Sequence, residues 1–402
     1  MSDSLTVLQV TSTHVYPPAT GGQHRNHGIV SAYPDHGDDL TRFAQGAPTR
    51  DLLPLGVDET RRIRDGYVER RSCDPLAMAS KLPMLAGYPN VFQNAALSLR
   101  TPRWVRRAAA EADLVQVEGP WQLPAVAEHV PESTPLVFSS HNVETEVFEA
   151  NVDSRVGGWL LNRLHQLERR SLELADVVVC TSARDERQFD RRFGVDGPTL
   201  VAPNGTEATG LRDASGDSAA GQALRERYGI APSTPLALFV GTGHRPNVDA
   251  VGSLLAQFAE DSRLADTHLL VVGTVCERVE APSTDRVTLA GFVDDIEPCF
   301  DAADVALNTV TTGSGSNIKL LEYLGRGLPT LATPFGTRGF EFTDGEQLRV
   351  AAAEDVPAAV ADLFGAPAER RRLGKRGLAA VRERYTWERI SDRLRDRLEA
   401  FV

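Results

Sequence analysis

Short β-like runs alternate with helical patterns along the whole chain, and that alternation is the strongest constraint on its fold. It is the signature of α/β architecture with parallel sheets. In the first half the strand-sized runs are 5–10, 38–43, 113–118, 135–141, 175–182 and 198–204. Between them, residues 155–174 place Trp159, Leu160, Leu164, Leu167, Leu172 and Leu174 at helical spacing. Residues 205–222, GTEATGLRDASGDSAAGQ, lose all periodicity and read as a surface linker. The rhythm then restarts with runs at 236–241, 267–273, 286–293, 304–309 and 328–333. The expected fold is therefore two Rossmann-like parallel-sheet domains, facing each other across a cleft at the strand C-terminal ends.

Composition narrows the partners. The net charge of −12 argues against nucleic acid as a bulk electrostatic partner. No apolar run reaches the roughly 18 residues that span a membrane, and MSDSLTVLQV runs into a strand without a basic leader. Cys73, Cys180, Cys276 and Cys299 lie far apart and form no C-x-x-C pair, which fits a reducing cytoplasm. Residues 75–107 combine apolar and aromatic residues with an arginine cluster around Trp104. They read either as a segment making transient contact with the inner membrane surface or as an ordinary helix with a solvated basic end.

The stretch 313–333, GSGSNIKLLEYLGRGLPTLAT, carries the most chemistry. Gly313, Ser314, Gly315 and Ser316 form a turn that lets backbone approach a ligand, and Asn317 leads into a helix whose first amides attract anions. Lys319 adds a positive charge there. Glu322, one turn on and on the same face, can accept two hydroxyl hydrogen bonds, as from a ribose. A capped helix with an i,i+3 ion pair is the plainer reading of the same residues. His141 ends an apolar strand and is either a ligand-facing or a structural histidine. His24, Arg25, Asn26 and His27 follow Gly21-Gly22 and either bind acceptor or phosphate or form a polar first helical turn. Glu118 and Trp121 sit where a strand ends, on the acceptor side or in rim packing. Gly241-Thr242-Gly243 lacks the third glycine of a dinucleotide loop.

Taken together, GSGSNIKLLEYLGRGLPTLAT, ADVVVCTSARDERQF, VAPNGTE, FVGTGHRPNVDAV, VTLAGFVDDIEPCFDAADVALN, DLVQVEGP, SSHNVE and the terminal YTWER resemble, in order and spacing, the retaining family 4 glycosyltransferases of GT-B fold, in the subgroup with Pro-Asn after the arginine. The resemblance is weakest over 40–110. It implies an acceptor-side domain at 1–205, a linker at 206–222, a nucleotide-sugar domain at 223–383 and a helix at 384–402 crossing back. It further implies that Glu322 binds the ribose of a UDP-, GDP- or ADP-sugar and that Arg245 and Lys319 neutralise its diphosphate. By the same resemblance, Gly21 and Gly22 offer amides to the β-phosphate and acceptor, and His141 contacts the donor sugar. Two positions depart from the pattern. Ser314 stands where many members have a sugar-binding glutamate, and Pro246-Asn247 stand where a second basic group is usual.

The implied reaction needs a stabilised diphosphate leaving group, which preorganised cations and backbone amides can supply. No Asp-x-Asp pair occurs to hold a divalent ion, so no metal and no cofactor are expected. The expected activity is transfer of a sugar, with retention, to a hydroxyl of a carbohydrate or polyprenyl-linked glycan. A catalytically silent sugar-binding relative and a nucleotide-sugar epimerase are the alternatives.

Overall fold

The computed structural model describes residues 4–46, 58–72, 74–149, 154–212, 218–313 and 315–402. The chain divides into two compact units, Met1–Asn204 with Trp387–Val402, and Gly205–Thr386.

The first unit holds an eight-stranded sheet. Its strands are β1 (Thr6–Thr11), β2 (Asp39–Gln45), β3 (Asp58–Arg64), β4 (Tyr67–Ser72), β5 (Leu114–Glu118), β6 (Leu136–Ser139), β7 (Val177–Cys180) and β8 (Thr199–Val201). Their order is β3-β4-β2-β1-β5-β6-β7-β8. Both faces of the central strands are covered. Leu8, Val10, Val115, Val117 and Phe138 enter one core, while Val7, Leu114, Val137, Val177 and Val179 enter the other. This two-sided burial explains why these strands read as apolar runs.

The β3–β4 pair was not expected. It is antiparallel, closes through Asp65-Gly66, and puts β3 on the edge with alternating exposed residues. The stretch RRIRDGYVERR has almost no apolar run, so hydrophobicity hides it; the Asp-Gly dipeptide was the available signal. Residues 75–107 correct the expectation of one ordinary helix. They form helices Pro75–Ser80, Gln93–Leu99 and the start of Arg103–Glu111, with a 3-10 turn at Leu82–Ala86. Pro83, Pro89 and Pro102 each interrupt continuation. The helix Arg155–Leu174 buries Leu160, Leu164, Glu168 and Ser171, whereas Trp159 faces solvent.

The C-terminal helix Trp387–Leu398 completes this unit's second core. Trp387 lies against Gly28 so closely that a Cβ there would come within 2.1 Å of the indole ring, so only glycine fits. Ser391 Oγ accepts from the Ala32 amide, and Arg395 makes a fork of 2.9 and 3.0 Å bonds to buried Asp38.

The second unit holds β9 (Leu236–Val240), β10 (His268–Val272), β11 (Val287–Gly291), β12 (Val305–Asn308), β13 (Thr330–Ala332) and β14 (Arg349–Val350), ordered β11-β10-β9-β12-β13-β14 and parallel throughout. Regular structure reaches into the stretch read as a linker. Ala208–Gly210 form a 3-10 turn, and the helix Ala219–Arg227 starts at Ser218, whose hydroxyl caps the Gly221 amide. Residues 213–217 lie outside the described residues. Tyr385 and Thr386 separate the helix Pro367–Arg384 from the terminal one.

Candidate active site

In the second unit, the helix Ile318–Gly325 follows the glycine-serine turn and puts Lys319 and Glu322 on the wall of one cavity of ≈ 330 Å³. Apolar Val240, Val272, Phe292, Val293 and Ile296 line the same cavity, with Gly241, Thr242, Asn247, Gly273 and Thr274. The lining thus combines apolar groups that suit a planar ring with a cation and a carboxylate.

Lys319 is half-buried. Its ammonium donates to Asn247 Oδ1 at 2.6 Å and sits 4.5 Å from the Phe239 ring centroid. Loss of water lowers its pKa to about 8, against the opposing pull of Glu322. Asn247 was read only as a departure from a basic residue, yet it is the group that orients the lysine. Arg245 behaves differently from its expected partner Lys319. Its side chain is 91% exposed, 3.7 Å from Asp249 on the next turn, and it does not line the cavity.

Gly313 and Gly315 adopt φ of +129° and +69°, which side-chain-bearing residues rarely do. Arg338 pins this turn by donating to the Gly313 carbonyl at 3.1 Å and, through Nε, to the Gly315 carbonyl at 3.0 Å. Asn317 begins the helix and donates its side-chain amide to the Phe335 carbonyl at 3.2 Å. Ser316 packs where a Cβ on Gly339 would approach within 2.3 Å. Ser314 lies outside the described residues. A second cavity of ≈ 340 Å³ shares Thr242 and Thr274 with the first and carries His244 and Arg278, a cation that no sequence motif marked.

In the first unit, Gly21 and Gly22 open the helix Gly21–Gly28. Thr20 and Gln23 form a reciprocal capping box at its start. The Gly21 and Gly22 amides therefore stand at the positive end of a capped helix. A Cβ on Gly22 would lie 4.0 Å from His141 Nδ1, so the histidine ring and this helix start are neighbours. His24 is half-buried on the next turn.

Two expected acceptor-side residues are buried instead. Arg25, 2% exposed, donates to the Ala202 carbonyl at 3.0 Å, Asn204 Oδ1 at 3.2 Å and the Ser140 carbonyl at 3.2 Å. It braces two strand-end loops and cannot meet an acceptor. Glu118 is fully buried, accepting from Gln9 at 2.8 Å and Gln116 at 2.7 Å through Oε1. Its Oε2 lies 3.4 Å from His141 Nε2. Burial pushes the carboxyl up, but the nearby His141 ring and the hydrogen bond from Gln9 outweigh it and hold its pKa below the ordinary value. Glu118 thus faces the His141 ring across 3.4 Å. The same face continues into Arg42, which donates to Gln9 at 2.7 Å, Glu69 at 3.0 Å and the Asn26 carbonyl at 2.9 Å. Gln116, Gln9, Arg42 and Glu69 thus form a polar row across the middle of β5, β1, β2 and β4. The neighbouring His27 packs against Tyr67, and burial lowers its pKa to about 4.

The loop carrying His141 leads into the helix Glu144–Glu149. Glu168 caps its start, accepting from the Glu144 and Thr145 amides at 2.8 and 3.1 Å. Burial raises the pKa of both Glu144 and Glu168, and the Glu168 charge adds to the rise at Glu144. Because Glu168 accepts these bonds as a carboxylate, Glu144 holds the proton. A carboxyl whose pKa is raised on folding stabilises fully below its unfolded value and loses that contribution as pH climbs through the folded one. Glu144, raised from 4.5 to about 8, therefore makes stability fall between these two values. Glu144→Gln is expected to add about 2 kcal/mol at pH 9 and little at pH 5. Urea unfolding at both pH values measures it, and parallel losses in variant and wild type would contradict the assignment.

Among the described residues, no group of three or more His, Cys, Asp or Glu is placed to hold a metal ion.

Family models match two regions. "Glycosyl transferase 4-like domain" covers residues 20–205, and "Glycosyl transferases group 1" covers residues 234–365. Solved structures share the fold at low identity. A sucrose-phosphate synthase from Thermosynechococcus elongatus is 18% identical with a TM-score of 0.70, covering 99% of this chain and 100% of its own. Anabaena HepE in complex with UDP is 16% identical, TM-score 0.63, with coverage of 98% and 100%. An E. coli trehalose-6-phosphate protein bound with UDP-2-fluoro glucose is 14% identical, TM-score 0.63, with coverage of 99% and 100%. No curated protein sequence matches the chain.

Proposed function

The chain is a glycosyltransferase of the GT-B fold, and we propose that it moves a sugar from a nucleoside-diphosphate donor to a hydroxyl of a carbohydrate or polyprenyl-linked glycan, with retention and without a metal. The observation that carries this reading is the pairing of Lys319 and Glu322 on one helix face in a cavity with an apolar wall. The nucleoside base packs against Val272, Phe292 and Ile296. Its ribose diol donates to the Glu322 carboxylate, and the diphosphate lies over Lys319 and the amides at the start of the helix Ile318–Gly325. Relatives of the same fold are bound with UDP or a UDP-sugar analogue, which makes uridine diphosphate the first donor class to try.

Charge builds on the departing diphosphate as the glycosidic bond breaks. A lysine already stripped of water and held by Asn247 stabilises that charge without reorganising. Restoring the full ammonium against a dianionic neighbour also raises its depressed pKa. No carboxylate is assigned as nucleophile. The acceptor hydroxyl attacks from the leaving-group side and passes its proton to a β-phosphate oxygen, which yields retention. Gly21, Gly22 and His141 are assigned to the donor's phosphate and sugar, with Glu118 as the residue that positions His141.

Incubation with UDP-, GDP- and ADP-sugars in the presence of a chelator tests this reading. We expect nucleoside diphosphate release with one base and, by NMR, a product with the donor's anomeric configuration. Nucleotide binding without release or transfer under any condition would favour the catalytically silent alternative.

A further inference from the structure

Large exposed apolar side chains are concentrated on one part of the first unit. Leu82, Met84, Leu85 and Leu99 come from residues 82–99, and Val156 and Trp159 from the start of the long helix. Leu85 is 86% exposed, Leu99 74% and Trp159 49%. The two segments form one surface: the Phe92 and Trp159 rings are 6.0 Å apart, and the Tyr88 hydroxyl lies 3.2 Å from Ser154 Oγ. Their charge is unlike that of the rest of the molecule. The chain has 55 acidic residues, yet none falls within 75–107 or 154–167. The same stretches carry Arg100, Arg103, Arg106, Arg107, Arg155 and Arg163, all exposed. Asp74 and Glu111, just outside, pair with Arg100 and Arg107. The Arg163 guanidinium lies 5.4 Å from the Trp159 ring centroid.

We propose that this surface docks on an anionic lipid bilayer, with the leucines and Trp159 entering the headgroup region and the arginines meeting lipid phosphates. Aliphatic tips, an amphipathic indole and long cationic side chains are the combination that the interface between water and hydrocarbon accommodates. Anionic lipid attracts each basic group near its surface. A second copy of the chain fits less well, because a twofold contact through this face would set the same arginines against one another. A soluble polyanion would leave Leu82, Leu85 and Leu99 in water. Among the described residues no helix is long and apolar enough to cross a membrane, so the attachment is peripheral. This inference deepens the proposed function and rests on it for one point, that a polyprenyl-linked acceptor lies in the leaflet the surface contacts.

The test is cosedimentation of the whole protein with vesicles of phosphatidylcholine alone or with added phosphatidylglycerol, at low and high salt. Binding is expected only to the anionic vesicles and is expected to weaken with salt. Arg103→Gln with Arg163→Gln should weaken it about fivefold per arginine, and Leu85→Ser with Leu99→Ser about tenfold or more. Failure to bind anionic vesicles at low salt, equal binding to neutral ones, or variants that bind as tightly as the wild type would overturn the proposal. So would a concentration-dependent dimer that the leucine variant abolishes. Thermal stabilisation by nucleoside diphosphates, measured on every variant, reports folding and separates the two readings. Vesicle binding without any nucleotide response would refute the donor site and leave this surface standing.

Discussion

Lys319→Ala is expected to lower kcat/KM for the nucleotide-sugar donor by about 10²–10³-fold, with the larger part in kcat. Removing one preorganised donor to a developing anion typically has an effect of that size. Two expected alternatives do not replace the lysine: Arg245 extends into solvent, and Asn247 occupies the position of a second basic group. The pH dependence carries a distinct signature. With burial holding the free ammonium near a pKa of about 8, wild-type affinity for the diphosphate should fall as pH rises above that value, and the alanine variant should show no such fall. Stability moves the other way. Between about 8 and the ordinary 10.5, the unfolded chain binds more protons than the folded one, so this group makes the wild type more stable as pH rises. Lys319→Met should therefore gain stability at neutral pH while losing activity. Steady-state kinetics across pH 6–10, beside urea unfolding of both variants, separates the two effects. A variant that kept wild-type kcat would remove Lys319 from the chemistry.

Arg42→Met should destabilise the protein by about 3–5 kcal/mol, the usual result of removing one member of a buried ion pair. Arg42 and Glu69 are both without solvent exposure, 3.0 Å apart. The arginine also donates to Gln9 and to the Asn26 carbonyl, so its loss strands acceptors on two elements. Glu69 keeps Arg71 at 2.7 Å, which limits the damage. Adding Glu69→Gln to the variant should recover part of the loss, because the uncompensated carboxylate is then gone. The urea midpoint measures both. A loss below about 1 kcal/mol for Arg42→Met would mean that water or rearrangement satisfies the network, against its complete burial here.

These two residues also show what a single sequence exposes and what it hides. Lys319 and Glu322 were legible because helix geometry alone puts positions three apart on one face, and a glycine-serine turn before them limits what the helix start can do. The central strands were legible because a parallel sheet buried on both faces must be written in Val, Leu and Ile. Arg42 and Glu69 lie in segments that read as polar, yet they sit side by side in the buried middle of β2 and β4. Their partners are 27 residues apart in sequence and meet only through strand pairing. Arg25 was misplaced for the same reason: its acceptors are carbonyls near residues 140 and 202, and a carbonyl leaves no mark on composition. Arg338 holds the glycine turn from 23 residues away. Glu118 was noticed at a strand end, but its pairing with His141 depends on β5 and β6 lying side by side. What was missed is long-range polar satisfaction, which local pattern does not encode.

The most direct test is calorimetric titration of the chelator-treated protein with UDP, GDP and ADP, alongside Glu322→Ala. One diphosphate should bind without metal, and the variant should bind it about 1.5–3 kcal/mol more weakly, as expected when hydrogen bonds to a charged group are lost. No binding by the wild type, or identical affinity in a folded Glu322→Ala protein, would contradict the assignment of this cavity to the donor.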